Sequence, residues 1–251
     1  QSIPVMEAGF FDELTGMDIR EIGYNIAEKF IEEINKEDLQ AIIDSALNFD
    51  TPLVQISDKI HCLETFHGPT LAFKDVGARF MARLMSHLIK GEERELNIVV
   101  ATSGDTGSAV ANGFYKVPGI NVFVLYPSGK ISKIQEKQIA TLGENITAIE
   151  VDGKFDDCQK LVKTALGDQE LKNEIGLTTA NSINIARLLP QIFYYFRAFA
   201  QLDNFQNNDV IVCVPSGNFG NLTAGLFAKK MGLPVKRFIA ATNINKVVPE
   251  Y

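Results

Sequence analysis

The chain has 251 residues, of which 46% are hydrophobic and 22% are charged. This length and composition are typical of a globular protein with one large or two smaller domains, and they exclude a disordered chain. With 24 basic and 31 acidic residues the formal net charge is -7, which argues against broad electrostatic binding to nucleic acid or to an acidic membrane. An anionic ligand must therefore be held locally.

Cysteine usage and the lack of targeting signals indicate a cytoplasmic protein. Cys62, Cys158 and Cys213 form no short motif, so we expect three unpaired thiols in a reducing compartment and no metal site. No stretch approaches the roughly 20 apolar residues of a membrane span. We expect a monomer or homodimer that binds a small molecule and neither nucleic acid nor membrane. Because the chain starts at Gln1 and stops at Tyr251 just after a predicted strand, we also expect a fragment of a longer protein.

In chain order, helices are predicted first and a parallel sheet second. Apolar residues at spacings of three and four within residues 18–47 predict two amphipathic helices. From Leu53 onward, short β-branched runs alternate with amphipathic segments, which predicts a parallel α/β sheet with ligands beyond the carboxyl ends of its strands. The polar segment at residues 167–177 indicates a boundary between two halves. The predicted strands lie in LNIVVATSG, VFVLYP, ITAIEVDG, DVIVCVPSG and RFIAATN.

Two strand-to-helix turns could bind anions. They are ATSGDTGSAV at residues 101–110 and VPSGNFGNLTAG at residues 214–225. Small residues let a ligand approach the backbone, and the free amides at a helix start attract anionic oxygen. Each turn alone is equally well explained as a tight connection, and neither matches G-x-G-x-x-G. The segment YPSGKIS lacks the earlier glycine that a Walker loop needs. Together the two turns indicate a ligand, or ligands, with more than one anionic group.

A third polar cluster is TTANSINIARLLPQ, residues 178–191. Asn181 and Ser182 suit the N-cap region of a helix, and Arg187 follows Ser182 by five residues. The spacing alone favours helix capping with Arg187 as a solvated charge. The alternative is a phosphate site built from amide, hydroxyl and guanidinium donors.

The segment HGPTLAFKDVGARF, residues 67–80, places Lys74 in or near the first turn of a predicted helix, where a cation opposes the helix dipole. Most lysines extend their amine into water. Here the apolar neighbours Leu71, Ala72 and Phe73 predict desolvation, which lowers the pKa of an amine and frees its lone pair. A nucleophilic amine near anion-binding turns indicates a Schiff base with pyridoxal phosphate.

These segments, with LYPSGKISKIQEKQIATLG at residues 125–143, resemble in order the motifs of the threonine synthase family. The resemblance implies the α/β architecture of pyridoxal-phosphate fold type II, with parallel sheets flanked by helices. It implies conversion of O-phospho-L-homoserine and water to L-threonine and phosphate. The expected domains are an N-terminal helical segment at residues 1–48, a smaller α/β domain at 49–177, and the truncated start of a larger α/β domain at 178–251.

The resemblance also assigns roles to the candidate residues. Lys74 would carry the cofactor and act as the catalytic residue, and Asp105 would lie near the 3-oxygen of the cofactor. Thr102 and Ser103 would receive the substrate carboxylate. The family likeness favours the phosphate site over simple capping in the third cluster, with the substrate phosphate held by Thr106, Asn181, Ser182 and Arg187. The cofactor phosphate would be held by Ser216, Gly217, Asn218, Phe219, Gly220 and Asn221.

Three alternatives stay open at this point. Another enzyme of the same fold, such as a serine or threonine dehydratase, would have no need for Arg187 and its neighbours. A non-catalytic binding protein could retain the fold. A zinc enzyme is disfavoured, because His61, His67 and His87 share no ligand spacing with the cysteines. The family also places a hydroxyl-bearing residue beside the pyridine nitrogen, and we expect that residue beyond Tyr251.

Overall fold

The computed structural model describes residues 3–92, 94–181 and 184–244. In chain order the helices are α1 (Ala8–Glu13), α2 (Ile19–Ala27), α3 (Lys36–Ala46), α4 (Lys74–Leu88), α5 (Asp105–Phe114), α6 (Lys133–Ala140), α7 (Phe155–Gly167), α8 (Gln169–Ile175), α9 (Ile185–Leu188), α10 (Gln191–Ala200) and α11 (Gly220–Lys230). The strands are β1 (Leu53–Ser57), β2 (Ile60–Leu63), β3 (Leu96–Ala101), β4 (Ile120–Pro127), β5 (Ile146–Val151), β6 (Leu177–Thr178), β7 (Val210–Pro215) and β8 (Val235–Ala241).

The chain forms two compact units. The first unit comprises Gln1–Ile43, Asp50–Glu64 and Leu188–Tyr251, and the second comprises Asp44–Phe49 and Thr65–Arg187. This grouping differs from the predicted division after residues 48 and 177. The N-terminal helices belong with the C-terminal segment, because α2 packs on α10 and Arg197 donates a hydrogen bond to the carbonyl of Met17 at 2.8 Å. The three-domain division stays a prediction.

The first unit combines helices with two separate pairs of strands. α2 begins with a capping box in which Asp18 accepts from the amide of Glu21 while the Glu21 carboxylate accepts from the amide of Asp18. With α3, it confirms the two amphipathic helices predicted for residues 18–47. β7 and β8 pair in parallel, as predicted. β1 and β2 form an antiparallel hairpin that the sequence did not predict, because both strands are largely exposed and lack a buried face.

The second unit is built on a four-stranded sheet with the order β5-β4-β3-β6, in which every pairing is parallel. The prediction of a parallel α/β sheet is therefore confirmed. Fully buried side chains of Ile98, Val122, Val124 and Phe114 form its core. β6, which begins at Leu177, pairs with β3 inside this unit, and the boundary predicted at residues 167–177 stays a prediction.

α4 is held firmly in the second unit. Arg79, only 8% exposed, donates from Nε to the carbonyl of Ala46 at 2.9 Å and from Nη2 to the carbonyl of Ser45 and to Asn48 Oδ1, both at 2.8 Å. On another side α4 approaches α5 closely, because a Cβ at Gly113 would lie 3.0 Å from the backbone of Ala78. These contacts fix the helix whose first residue is Lys74.

Two further findings concern membrane-spanning helices and the cysteines. In the described ranges, no helix is long and apolar enough to cross a membrane. The three cysteines are free thiols, buried at Cys158 and exposed at Cys62 and Cys213.

We predict that Arg79→Met lowers the free energy of unfolding by about 3 kcal/mol, because three buried or half-buried acceptors lose a charged donor. The measurement is the shift of the urea unfolding midpoint at constant slope. Arg237→Met, at an exposed position in β8, is the control and is expected to change stability by less than about 0.5 kcal/mol. Equal midpoints for the two variants would contradict the anchoring role of Arg79.

Candidate active site

Lys74 is the first residue of α4, as the sequence predicted. Its side chain is 19% exposed, and its Nζ lies 5.3 Å from the ring centroid of Phe73. Burial lowers the pKa of this amine; Asp105 opposes the shift, and the positive charge of Arg187 adds to it. The predicted desolvation is present, although Leu71 takes no part in it, because that side chain is 69% exposed.

A buried carboxylate fixes the loop before Lys74. Asp75, 1% exposed, accepts a hydrogen bond from the amide of Thr70 at 2.9 Å and another from its hydroxyl at 2.5 Å. Burial raises the pKa of Asp75 in spite of these bonds. Between the two residues Leu71 has φ of 60°, a left-handed conformation that costs free energy outside glycine. These hydrogen bonds between Thr70 and Asp75 were not predicted from the sequence, although both residues stand in the motif HGPTLAFKDVGARF.

The turn after β3 takes its shape from Thr102 and Gly104. Thr102 is buried, and its Oγ1 accepts from the amides of Gly104 at 2.9 Å and Gly107 at 2.8 Å. Gly104 has φ of 135°, which favours glycine. Ser103 and Asp105 are exposed, and Thr106 is half-buried. Since its hydroxyl is already bonded inside the turn, Thr102 shapes the site, and its contact with a substrate carboxylate stays a prediction.

Asp105 connects two elements of the second unit. Its Oδ2 lies 3.7 Å from Lys74 Nζ, and its Oδ1 accepts a hydrogen bond from Gln135 Nε2 at 2.6 Å. Gln135 lies in the first turn of α6 and was not predicted as a site residue. The signal available in the sequence was the capping-box pattern Ser132-x-x-Gln135 in the motif at residues 125–143.

Arg187 is 1% exposed, so the interpretation of this residue as a solvated charge was wrong. Its Nη1 donates to the carbonyl of Ala180 at 2.8 Å, and burial lowers its pKa to about 10. The side chain of Asn184 accepts from the amide of Ala186 at 3.0 Å at the start of α9, and the capping predicted for Asn181 or Ser182 stays a prediction. Asn181 is exposed, and Ser182 lies outside the described residues. The structure thus brings Lys74, Asp105 and Arg187 together, as an electrostatic group within the second unit.

The second predicted turn belongs to the first unit. The amide of Ser216 donates to the carbonyl of Ala241 at 2.8 Å, and α11 begins at Gly220. Tyr195 donates its hydroxyl to the Asn221 carbonyl or Oδ1, at 2.7 and 2.8 Å. A Cβ at Gly217 would meet nothing within 4 Å, so the described chain leaves open space beside this part of the turn. First-turn amides of a helix have no intrahelical acceptor and suit an anionic oxygen.

These observations fit pyridoxal phosphate on chemical grounds. An amine with a lowered pKa can form a covalent bond to a carbonyl group. An open glycine turn at a helix start can accept a phosphate, with Phe219 and Gly220 at the helix boundary and Asn218 exposed before it. Fold and site together define a parallel α/β protein with a candidate active site at Lys74.

The comparison with known proteins gives the family. Residues 45–248 match the family described as pyridoxal-phosphate dependent enzyme, and the chain belongs to it. The predicted fold class and cofactor are confirmed at this level. The chain is 52% identical over 251 residues to the threonine synthase of Buchnera aphidicola subsp. Acyrthosiphon pisum, covering 99% of this chain and 58% of that protein.

Two solved structures agree. The crystal structure of threonine synthase from Escherichia coli has a TM-score of 0.92 and 52% identity, covering 100% of this chain and 58% of that one. The PLP-bound threonine synthase from Brucella melitensis has a TM-score of 0.89 and 38% identity, covering 97% of this chain and 54% of that one. The chain therefore spans a little over half the length of the relatives it matches.

We predict that Lys74→Met stabilises the cofactor-free protein by about 1 kcal/mol at neutral pH, because a buried charge that opposes the helix dipole is removed. The folded-state pKa of Lys74 lies below its unfolded value, so the charged amine destabilises the fold fully at pH below the folded pKa. This destabilisation shrinks as the pH rises from the folded toward the unfolded pKa.

The gain in stability for Lys74→Met should accordingly be largest near neutral pH and smaller in alkaline buffer. Urea unfolding of both proteins at several pH values measures the difference. Lys163→Met, on the exposed side of α7, is the control and should show no gain at any pH. A loss of stability in Lys74→Met would show that the amine is placed for folding and not for chemistry.

Proposed function

We propose that the longer protein to which this chain belongs is a threonine synthase, which converts O-phospho-L-homoserine and water to L-threonine and phosphate in the cytoplasm. The observation that carries the proposal is the arrangement around Lys74, whose side chain is 19% exposed. Its Nζ lies 3.7 Å from Asp105 Oδ2, and the charge of Arg187 helps to lower its pKa. Similarity to threonine synthases over nearly the whole chain supports the same reaction.

One molecule of pyridoxal phosphate would be held by two groups of residues in this chain. Lys74 would bind it covalently through Nζ, and the amides of the turn Ser216–Asn221 would bind its phosphate. When bound, the cofactor supplies an electron sink that stabilises negative charge developing on the substrate carbons. Asp105, which already faces Lys74, would lie beside the cofactor's 3-oxygen.

The protein's own residues would then move protons and hold the substrate. The neutral amine of Lys74 would take the proton from the substrate's α-carbon, and it would then move protons at the β and γ carbons. Phosphate leaves from the γ carbon, and water adds at the β carbon. The lowered pKa of Lys74 suits this work, because more of the amine is unprotonated near neutral pH.

Arg187 would set the preference for a phosphorylated substrate. A guanidinium buried to 1% exposure carries a large desolvation cost, which a bound phosphate would offset by charge and by paired hydrogen bonds. Thr106, Asn181 and Ser182 would complete this phosphate site, while Ser103 would receive the substrate carboxylate. A dehydratase acting on serine or threonine has no phosphate to bind and gives no reason to bury this cation.

The deciding experiment compares two products in the full-length protein loaded with pyridoxal phosphate. With O-phospho-L-homoserine we expect stoichiometric release of phosphate and formation of threonine. With serine or threonine we expect little release of ammonia. Lys74→Ala should release neither product and should not retain the cofactor after borohydride reduction. Ammonia release without phosphate release would favour the dehydratase. If the unmodified protein retains the cofactor but turns over neither substrate, the result would favour a binding protein.

We further predict that Gly217→Asp weakens binding of pyridoxal phosphate by about tenfold, because a carboxylate enters the open space beside the phosphate-binding amides. Gly217→Asn has nearly the same shape without the charge and should bind the cofactor much more tightly than Gly217→Asp. Equilibrium titration of the full-length apoprotein, followed by cofactor fluorescence, measures both affinities. Unfolding curves should match the unmodified protein, since a Cβ here meets nothing within 4 Å. If Gly217→Asp and Gly217→Asn bound the cofactor with equal affinity, this turn would not be the phosphate site.

A further inference from the structure

Gln135 is placed to control the carboxylate that faces Lys74. It lies in the first turn of α6, in the second unit, and its Nε2 donates to Asp105 Oδ1 at 2.6 Å. The other carboxylate oxygen, Oδ2, lies 3.7 Å from Lys74 Nζ. Asp105 is otherwise exposed, with 54% of its side chain accessible, so its orientation depends on the few groups that bind it.

The position of Gln135 is fixed from two further directions. Its Oε1 accepts from the amide of Ser132 at 3.1 Å, and its own amide donates to Ser132 Oγ at 3.2 Å, which closes the capping box of α6. On the side of the turn after β3, Gly104 leaves the room that the Gln135 amide occupies, because a Cβ at Gly104 would overlap that side chain. The carboxamide is thus oriented before it reaches Asp105.

We propose that Gln135 is a positioning residue of the active site: its carboxamide, oriented by the backbone amide of Ser132 and accommodated by Gly104, holds the Asp105 carboxylate toward the Lys74 amine. The inference deepens the proposed function and rests on the role assigned there to Lys74. The donor matters more than the bulk, since a carboxylate that is half exposed rotates into water when no hydrogen bond retains it.

The physical consequence concerns the proton on Lys74. Two charged groups act on this amine: Asp105 on α5 stabilises its protonated form, and Arg187 on α9 destabilises it. If Gln135 no longer holds Asp105, the stabilising charge moves away and the effect of Arg187 remains. The amine of Lys74 then loses its proton more readily and reacts faster with electrophiles at neutral pH.

The test uses the full-length protein without cofactor, so that it does not depend on turnover. Lysines are acetylated with a small amount of acetic anhydride at neutral pH, and the rate at Lys74 is read by peptide mass spectrometry relative to the exposed Lys163. Gln135→Met, which keeps the volume and removes the donor, should increase the Lys74 rate several-fold. Asp105→Asn should increase it as well. The double variant should react no faster than Asp105→Asn alone, because both changes remove the same charge from Lys74.

Ser132→Ala is the matched control. It removes the hydroxyl that accepts from the Gln135 backbone amide but keeps the Ser132 backbone amide that orients the Gln135 carboxamide, so the Lys74 rate should stay unchanged although α6 is weakened. Gln135→Asn, whose amide is too short to reach Asp105, should behave like Gln135→Met and serves if that variant folds poorly. An unchanged Lys74 rate in both Gln135 variants would overturn the proposal. It would also be overturned if the double variant reacted faster than Asp105→Asn alone by the full increase that the Gln135 substitution gives by itself. Failure of the proposed function would appear separately, as absent phosphate release with these labelling rates intact.

Discussion

The burial of one amine at the start of a helix is the constraint on which the active site depends. Lys74 can keep a lowered pKa only while α4 stays packed where it is, because a small displacement would let water reach Nζ. Arg79 holds the helix to the segment at residues 45–48, and the close approach at Gly113 holds it to α5. The anchors are thus one turn or more away from the reacting atom, on the same rigid helix.

Around that amine the charges are arranged unevenly. Lys74 and the buried Arg187 are cations, and Asp105 is the anion paired with Lys74. Asp105 is also the most exposed of the three and the one held by a neutral partner, Gln135. A site with one buried cation, one partly buried cation and one more exposed anion favours a ligand that brings negative charge over a neutral analogue. This balance supports the proposal of a phosphorylated substrate.

Part of this arrangement could be predicted from the sequence. The parallel strands follow from short β-branched runs that alternate with amphipathic segments, and the position of Lys74 follows from the helical spacing behind it. The burial of Arg187 and the bond between Gln135 and Asp105 could not be predicted, because they depend on contacts between segments far apart in the chain. The β1–β2 hairpin was missed for a simpler reason: its strands are exposed and carry no clear alternation.

The segment Leu71–Asp75 collects several features that are unfavourable for folding. Leu71 is left-handed and exposed, Asp75 is a carboxyl group in a buried position, and Lys74 itself opposes the helix dipole. A chain selected only for stability would avoid this combination, whereas an active site holds such groups where the surrounding packing can bear their cost. Thr70 offsets part of that cost by giving Asp75 two hydrogen bonds, and the fully buried Phe80 one and a half turns later supplies apolar burial. The unfavourable residues therefore mark the site as clearly as the glycine turns do.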